Sequence, residues 1–309
     1  MEKIWNIVDE VIMRPPAVKV ERMPTFYPSA AGCINEEDSN ERVGTCLRAN
    51  YYRCAKYERS DGDTIYGKYI MSAGVMWEKF ILDKLQSSGM LRASNLKMSN
   101  VPRFISGEID GVLINPDNED NTILLEIKTF HGYEAKKNIC GNTTVSPKPK
   151  DNALLQSFYY LNELKDQVDK IVIMYLARDD ASKNEFHITI HEENGKSYPK
   201  IETFWRGNSY GYIDKRITIE GIYQNFDDLM VKLKEAELPR PDFYHIYPDN
   251  IVESLWDEGK IAKTRYNNWT RNKEKYPIGH FMCGVGDGYS GYCAYRTMCK
   301  TQKEEDGDS

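Results

Sequence analysis

Asp110, Glu126 and Lys128 are the residues whose types and spacing point most directly to chemistry. They fall in GEIDGVLINPDNEDNTILLEIKTF, from Gly107 to Phe130, two apolar segments that carry charge where simple patterning would place aliphatics. Glu126 and Lys128 are separated by one residue, so on a strand they share a face while Ile127 points to the other. Asp110 lies mid-strand between Ile109 and Val112, and Gly111 beside it permits close backbone approach. Two carboxylates and an ammonium suit a hard divalent cation. Mg2+ takes oxygen ligands, accepts one or two carboxylates plus water, and leaves positions open for a phosphate. The lysine would orient or activate an attacking water and offset charge growing on phosphoryl oxygens. An E-x-K triplet on an exposed strand is more often a surface ion pair, so the triplet alone decides little.

Further groups stand on either side of it. Glu78 follows Gly74 by four residues in GVMWEKF and offers a third carboxylate. Gln156 and Tyr160 are four apart and share one face of a helix. Glu108, two residues from Asp110 on the same strand face, ranks behind it as a supporting group. Cys283, Cys293 and Cys299 crowd FMCGVGDGYSGYCAYRTMCK, where glycines let the backbone wrap an ion or cluster, and Cys46 upstream offers a fourth thiolate. Zn2+ and iron–sulfur groups both accept four thiolates. Cys33, Cys54 and Cys140, taken singly, read as free thiols packed in the core.

These groups need elements to hold them. Met1 to Met13 reads as a helix ended by Pro15-Pro16, Thr45 to Arg59 as another, and Tyr69 to Leu85 as a third with apolar residues spaced three and four apart. Ile105–Ile114 and Ile123–Ile127 read as strands joined by the polar turn NPDNEDN. Asp151 would cap the helix NALLQSFYYLNEL, KIVIMYLA (Lys170 to Ala177) would be a buried strand, and FDDLMVKLKEAEL an amphipathic helix. Helix, strand, strand, helix, strand in that order gives an α/β core with a mixed sheet.

The whole chain sets bounds. Its 309 residues, 40% hydrophobic and 12% aromatic, can bury a sizeable core. No apolar run approaches the roughly 18 residues that span a bilayer, and the N-terminus lacks the apolar core of a signal peptide, so the expected setting is cytoplasmic. A net charge of −6 argues against a protein coated in nucleic acid and leaves room for a local basic groove. The stretch Gly259 to Pro277 interleaves Lys260, Lys263, Arg265, Arg271, Lys273 and Lys275 with Tyr266, Trp269 and Tyr276. Cations for phosphates and aromatic faces for unpaired bases are the means of single-strand binding; a solvated basic helix is the alternative. Lys136, Lys137, Lys148 and Lys150 lie in a loop-like segment, Gly132 to Lys150, that would close over a strand end, and Arg42 and Arg48 add charge near Cys46.

Taken in order, Gly74 and Glu78, Gly107 and Asp110, Glu126 and Lys128, and Gln156 and Tyr160 resemble the PD-(D/E)XK nuclease superfamily in its RecB-like branch. That branch runs G-x-x-x-H/E, G-x-x-D, E-x-K, Q-x-x-x-Y, and the match covers about a hundred residues. Where many relatives carry His this chain has Glu78, whose carboxylate is an oxygen ligand and keeps a hard-metal site. The resemblance implies a restriction-endonuclease-like α/β core, a mixed central sheet flanked by helices, over 60–180. It implies Mg2+ or Mn2+ held by Glu78, Asp110, Glu126 and the Ile127 carbonyl, with Lys128 assisting the water and Gln156 and Tyr160 positioning DNA or supporting Lys128. A subset of that branch, the CRISPR-associated exonucleases and the AddB nuclease domain, is similar in a second respect. It places one Cys before the core and three after it around a [4Fe–4S] cluster. Cys46 with Arg48 (C-x-R) and the C-x5-C of Cys293 and Cys299 follow that pattern, whereas nine residues separate Cys283 from Cys293 in place of two. The cluster lobe would comprise 28–59 and 259–300, joining the terminal regions of one nuclease domain, with an acidic tail over 301–309. The implied activity is metal-dependent DNA hydrolysis, exonucleolytic on single strands or ends, beside a helicase, recombination or CRISPR-adaptation partner. The alternatives are a non-catalytic nucleic-acid-binding subunit acting beside a helicase or integrase, and a zinc staple in place of the cluster.

Overall fold

The computed structural model describes residues 12–13, 25–38, 41–62, 64–115, 118–280, 282–283 and 293–305. The helix expected over Met1–Met13 lies outside these except for its last two residues, which are helical. The described α-helices are α1 (Leu47–Cys54), α2 (Ile65–Ser87), α3 (Tyr133–Cys140), α4 (Asp151–Glu163), α5 (Ile219–Glu235), α6 (Asp249–Asp257), α7 (Lys263–Arg271) and α8 (Arg296–Glu305). The chain divides into two compact units, one of Met1–Thr45 and Thr64–Lys234, the other of Cys46–Asp63 and Glu235–Ser309.

The first unit is built on a seven-stranded mixed sheet whose spatial order equals its chain order. Its strands are β3 (Leu91–Asn100), β4 (Ile105–Asn115), β5 (Asn118–Phe130), β6 (Lys170–Ala177), β7 (Lys183–Glu193), β8 (Lys196–Trp205) and β9 (Asn208–Ile213). A small hairpin, β1 (Gly32–Ile34) with β2 (Arg42–Gly44), stands apart from it. Every pair is antiparallel except β5 with β6, which α3 and α4 connect as a crossover. One sheet face buries Leu113, Ile123, Leu125, Ile127 and Val172, against which Ile81, Leu82 and Leu85 of α2 pack. Residues 153–161 of α4 are buried without a break, so this helix is central rather than amphipathic. Gly44 makes one close approach possible: at φ 88°, an added Cβ would sit 2.3 Å from Leu155 Cδ1 of α4.

The α/β core with a mixed sheet is as expected, and the strand over Lys170–Ala177 has those ends. Several expectations change. The helix over Thr45–Arg59 is confined to Leu47–Cys54, because Lys56 turns at φ 59°. The helix at Tyr69–Leu85 starts earlier, where Thr64 accepts the Gly67 N–H. Asp151 does not cap α4; Lys150 occupies that position, and Asp151 instead meets Arg216 at 2.9 Å. The segment 132–150 is not an open loop. It contains α3, and a Lys148 N–H to Asn138 carbonyl bond of 2.9 Å folds the remainder back on it.

The second unit differs from the expected lobe in its bounds, beginning at Cys46 on one side and at Glu235 on the other. Its core gathers Val252, Ile261, Trp269 and Ile278. Of the expected tail, residues 301–305 continue α8 and the rest lie outside the described residues.

Candidate catalytic and cysteine centres

The acidic centre sits where the sheet comes apart. The β4–β5 ladder ends at Gly111–Leu125, and one residue farther the Asp110 carboxylate, not a carbonyl, accepts the Ile127 N–H at 2.6 Å. A side chain thus finishes a backbone ladder, which fixes Asp110 beside β5. Glu126, on the face of β5 opposite Ile127, is 1% exposed. Its Oε1 is held by the Lys128 ammonium, while Oε2 is buried with no hydrogen-bond partner.

Electrostatics ties four charged residues together. Burial pushes the Glu126 carboxyl up to about 7, with Lys128 opposing and Asp110 and Glu78 adding to the rise. Burial also raises Asp110, against the Ile127 N–H and Lys128. Glu78, brought by α2, is raised by burial and then by Asp110. Burial alone would lower the Lys128 ammonium, yet Glu126, Asp110 and Glu78 together hold it above the ordinary lysine value. Glu78, Asp110, Glu126 and Lys128 therefore share one field.

Gln156 and Tyr160 brace this centre from α4. Gln156 Nε2 lies 3.4 Å from the Tyr160 hydroxyl, which donates to the Glu108 carbonyl at 3.1 Å. Glu108 contributes its carbonyl here, while its side chain is exposed. Gly107 is required by the same contact, since a Cβ there would stand 2.5 Å from the Tyr160 hydroxyl. Gly74 is less constrained, with Thr129 Oγ1 at an ordinary 3.4 Å from its would-be Cβ.

The cysteine centre belongs wholly to the second unit. Cys46 precedes α1 and Cys299 lies in α8, both buried, as is Cys283; Cys293 is half-buried. A thiol–thiol hydrogen bond with Cys293 pushes the Cys283 proton affinity up, aided by burial and by Cys46, Cys293 and Cys299. The same bond draws Cys293 down to about 7. Cys46 is pushed up to about 12 by burial and then by Asp242. Arg48 directs Nη1 to Cys299 Sγ at 3.8 Å and Nε to the Pro239 carbonyl at 2.5 Å. Cys54 feels burial and Arg53 rather than the other thiols. Cys33, packed near Arg42, belongs to the first unit, as does Cys140, half-buried near Lys136. Asp242, which takes the Leu47 N–H at 2.6 Å, and His245, whose Nδ1 lies 3.2 Å from the Cys283 carbonyl, carry no spacing signal in the sequence.

Among the described residues, no three His, Cys, Asp or Glu side chains stand at ready-made metal-ligand spacing. In the acidic centre Lys128 meets Glu126, and in the cysteine centre Arg48 meets Cys299. The donor chemistry nevertheless fits the two groups that the motifs imply. An orphaned, buried carboxylate oxygen suits a hard cation, and three thiols that each act on Cys283 suit a thiolate-bound group.

The basic–aromatic stretch Gly259–Pro277 requires a correction. Trp269 is 3% exposed and lies in the core with Val252, Ile261 and Ile278. Tyr266 stacks on Trp256 with centroids 4.3 Å apart, and Lys273 covers the Trp269 ring at 4.4 Å. Trp269 thus belongs to the core of the second unit and offers no open face to a base, while Tyr266 and Tyr276 are half-buried. Lys260, Lys263, Arg271, Lys273 and Lys275 are exposed. Comparison with protein-family models and with curated proteins gave no match.

Proposed function

We propose that the chain is a divalent-metal-dependent DNA nuclease of the PD-(D/E)XK type, with a [4Fe–4S] group held by Cys46, Cys283, Cys293 and Cys299. One observation carries the first part: Glu126, 1% exposed, keeps one carboxylate oxygen unsatisfied beside Asp110, Glu78 and a lysine. Burying an unpaired carboxylate oxygen costs several kcal/mol unless a further partner arrives, and a cation is the partner this donor set fits. Glu126, Asp110, Glu78 and the Ile127 carbonyl would hold Mg2+ or Mn2+. A cation bound there supplies Lewis acidity to the phosphate and a more acidic water.

The chain's own residues do the rest. Lys128 is held in its charged form, so it orients the water and offsets phosphoryl charge rather than taking a proton. The Ile127 N–H aims Asp110. Tyr160 and Gln156 hold the strand that carries Asp110 by way of the Glu108 carbonyl. In the second unit, four thiolates from Cys46 to Cys299 would fasten α1 to α8. Holding a metal group there would couple its binding to the folding of this unit.

The experiment is end-labelled single- and double-stranded DNA incubated with Mg2+ or Mn2+. Asp110→Ala, Glu126→Ala and Lys128→Ala should each abolish cleavage with the fold unchanged, whereas wild-type turnover in Lys128→Ala removes the assignment. For the cysteine centre, anaerobically purified Cys46→Ser, Cys283→Ser, Cys293→Ser and Cys299→Ser should each lose iron and visible absorbance. Cys54→Ser should keep both; bleaching in Cys54→Ser alone would move the first ligand.

A further inference from the structure

We infer that the tip of the β8–β9 hairpin is a binding site for an unpaired nucleotide, with Trp205 and Tyr210 taking the base and Arg206 the phosphate. The inference rests on the nuclease reading for its substrate. Its observations are separate. Trp205 pairs with Asn208 across a two-residue turn of Arg206 (φ 52°) and Gly207 (φ 79°). Trp205, Arg206, Asn208, Ser209 and Tyr210 line an open cavity of about 420 Å³. The indole and phenol meet edge-on at 5.4 Å and 71°, and the Arg206 guanidinium lies 5.9 Å from the Trp205 ring centre. The Trp205 indole is held from behind, since a Cβ on Gly141, just after α3, would fall 2.7 Å from its Nε1. A braced aromatic wall, a guanidinium and an amide side chain are the means by which a base and its phosphate are held together.

The sheet register places this site on the catalytic side. Lys128 pairs with Tyr175, and Tyr175 with Asn184. Asn184 takes a hydrogen bond from Thr203 of β8 at 3.1 Å. Glu202 pairs with His187, so alternation puts Thr203 and Trp205 on the face of Asn184, Tyr175 and Lys128. Tyr210 pairs with Thr203 and joins them. With neighbouring strands about 4.8 Å apart, β8 lies about 15 Å from β5, a few nucleotides along an extended strand. Glu202, the acid closest in sequence, is engaged by Lys200 at 2.8 Å.

The test measures binding without divalent cation, so it does not depend on cleavage. The probes are a short oligothymidylate and an abasic strand of equal length. Wild type should prefer the strand with bases, and Trp205→Ala should lose that preference, binding the oligothymidylate about tenfold more weakly. Arg206→Ala should weaken both probes alike and reduce the salt slope by about 1. Trp205→Phe should recover most of the loss, and thermal midpoints show which variants fold. Should Trp205→Ala not fold, Tyr210→Ala, which removes the other ring of the wall and should lose the same preference, and Arg206→Ala decide. Unchanged binding in the folded alanine variants, or a wild type that ignores bases, overturns the site. Base-dependent binding without any metal-dependent cleavage would leave this site standing and overturn the nuclease reading instead.

Discussion

Gly107 and Glu126 carry two different kinds of constraint at the residue scale. At Gly107 the constraint is space. Gly107→Ala should destabilise by about 1–3 kcal/mol, the usual cost of overpacking, because its Cβ meets the Tyr160 hydroxyl. Chemical denaturation of Gly107→Ala, Tyr160→Ala and the double variant should show strong non-additivity; additive losses would mean the contact is not made. At Glu126 the constraint is charge. Mg2+ or Mn2+ at a hundredfold excess over its dissociation constant should stabilise wild type by about 3 kcal/mol, read as a rise in thermal midpoint. Glu126→Gln should show little of it. His280 adds a constraint of protonation. It stacks on Phe243 at 3.8 Å, its Nδ1 accepts the Met282 N–H at 3.3 Å, and burial lowers its pKa to about 4. A depressed folded-state value contributes stability that is present above the unfolded pKa, about 6.5. That stability disappears as pH falls towards about 4. Relative to wild type, His280→Phe should therefore flatten the loss of stability over that window, by about 2 kcal/mol across it.

At the element scale, α8 depends on a residue far from it in sequence. Asp61 accepts the Thr297 N–H at 2.8 Å and the Arg296 guanidinium at 2.9 Å, and Ser60 Oγ takes the Met298 N–H at 3.1 Å. Together they satisfy the free N–H groups at the helix start. Asp61→Ala should cost about 1–2 kcal/mol and loosen Cys299 with its helix, measurable as faster thiol labelling of Cys299. Trp269→Ala should cost about 3–5 kcal/mol, because the ring is core and not a platform. Nothing in the local pattern separates these two fates of an aromatic among lysines; only the packing partners Val252 and Ile278, outside the window, decide it. The strands of the acidic centre were legible because charge interrupts two apolar runs at Asp110 and Glu126. β3 was not, since LRASNLKMSN has no alternation and seven of its residues are exposed. β7 and β8 were legible in principle: Phe186, Ile188 and Ile190 alternate, and Asn194-Gly195 is the dipeptide a tight hairpin needs. The expected elements nevertheless pass from Ala177 to the helix over 226–238. The pairing of Asp110 with a backbone N–H was beyond reach, because it depends on where a ladder ends.

At the scale of the whole molecule, the second unit is assembled from a short insert, Cys46–Asp63, and the C-terminal segment Glu235–Ser309. The two segments pack on one another. Tyr52, fully buried, packs on Tyr295 at 5.3 Å, and Arg48 reaches both Pro239 and Cys299. A chain ending at Lys234 would leave α1 with an uncovered arginine and an unfilled tyrosine slot. Limited proteolysis of that truncation should cut within 46–63, where the full chain resists. Equal resistance would show that the insert orders without its partner segment.

The Ile127 amide has a property that follows from the end of the β4–β5 ladder. Its proton answers to a carboxylate, whereas most sheet amides answer to a carbonyl whose charge never changes. The exchange of this single proton with solvent is therefore a gauge of the electron density on Asp110. Whatever draws on that carboxylate, whether a proton, a cation or substitution by Asn, reaches the backbone there first, so one resonance can follow the filling of the centre without any substrate being turned over.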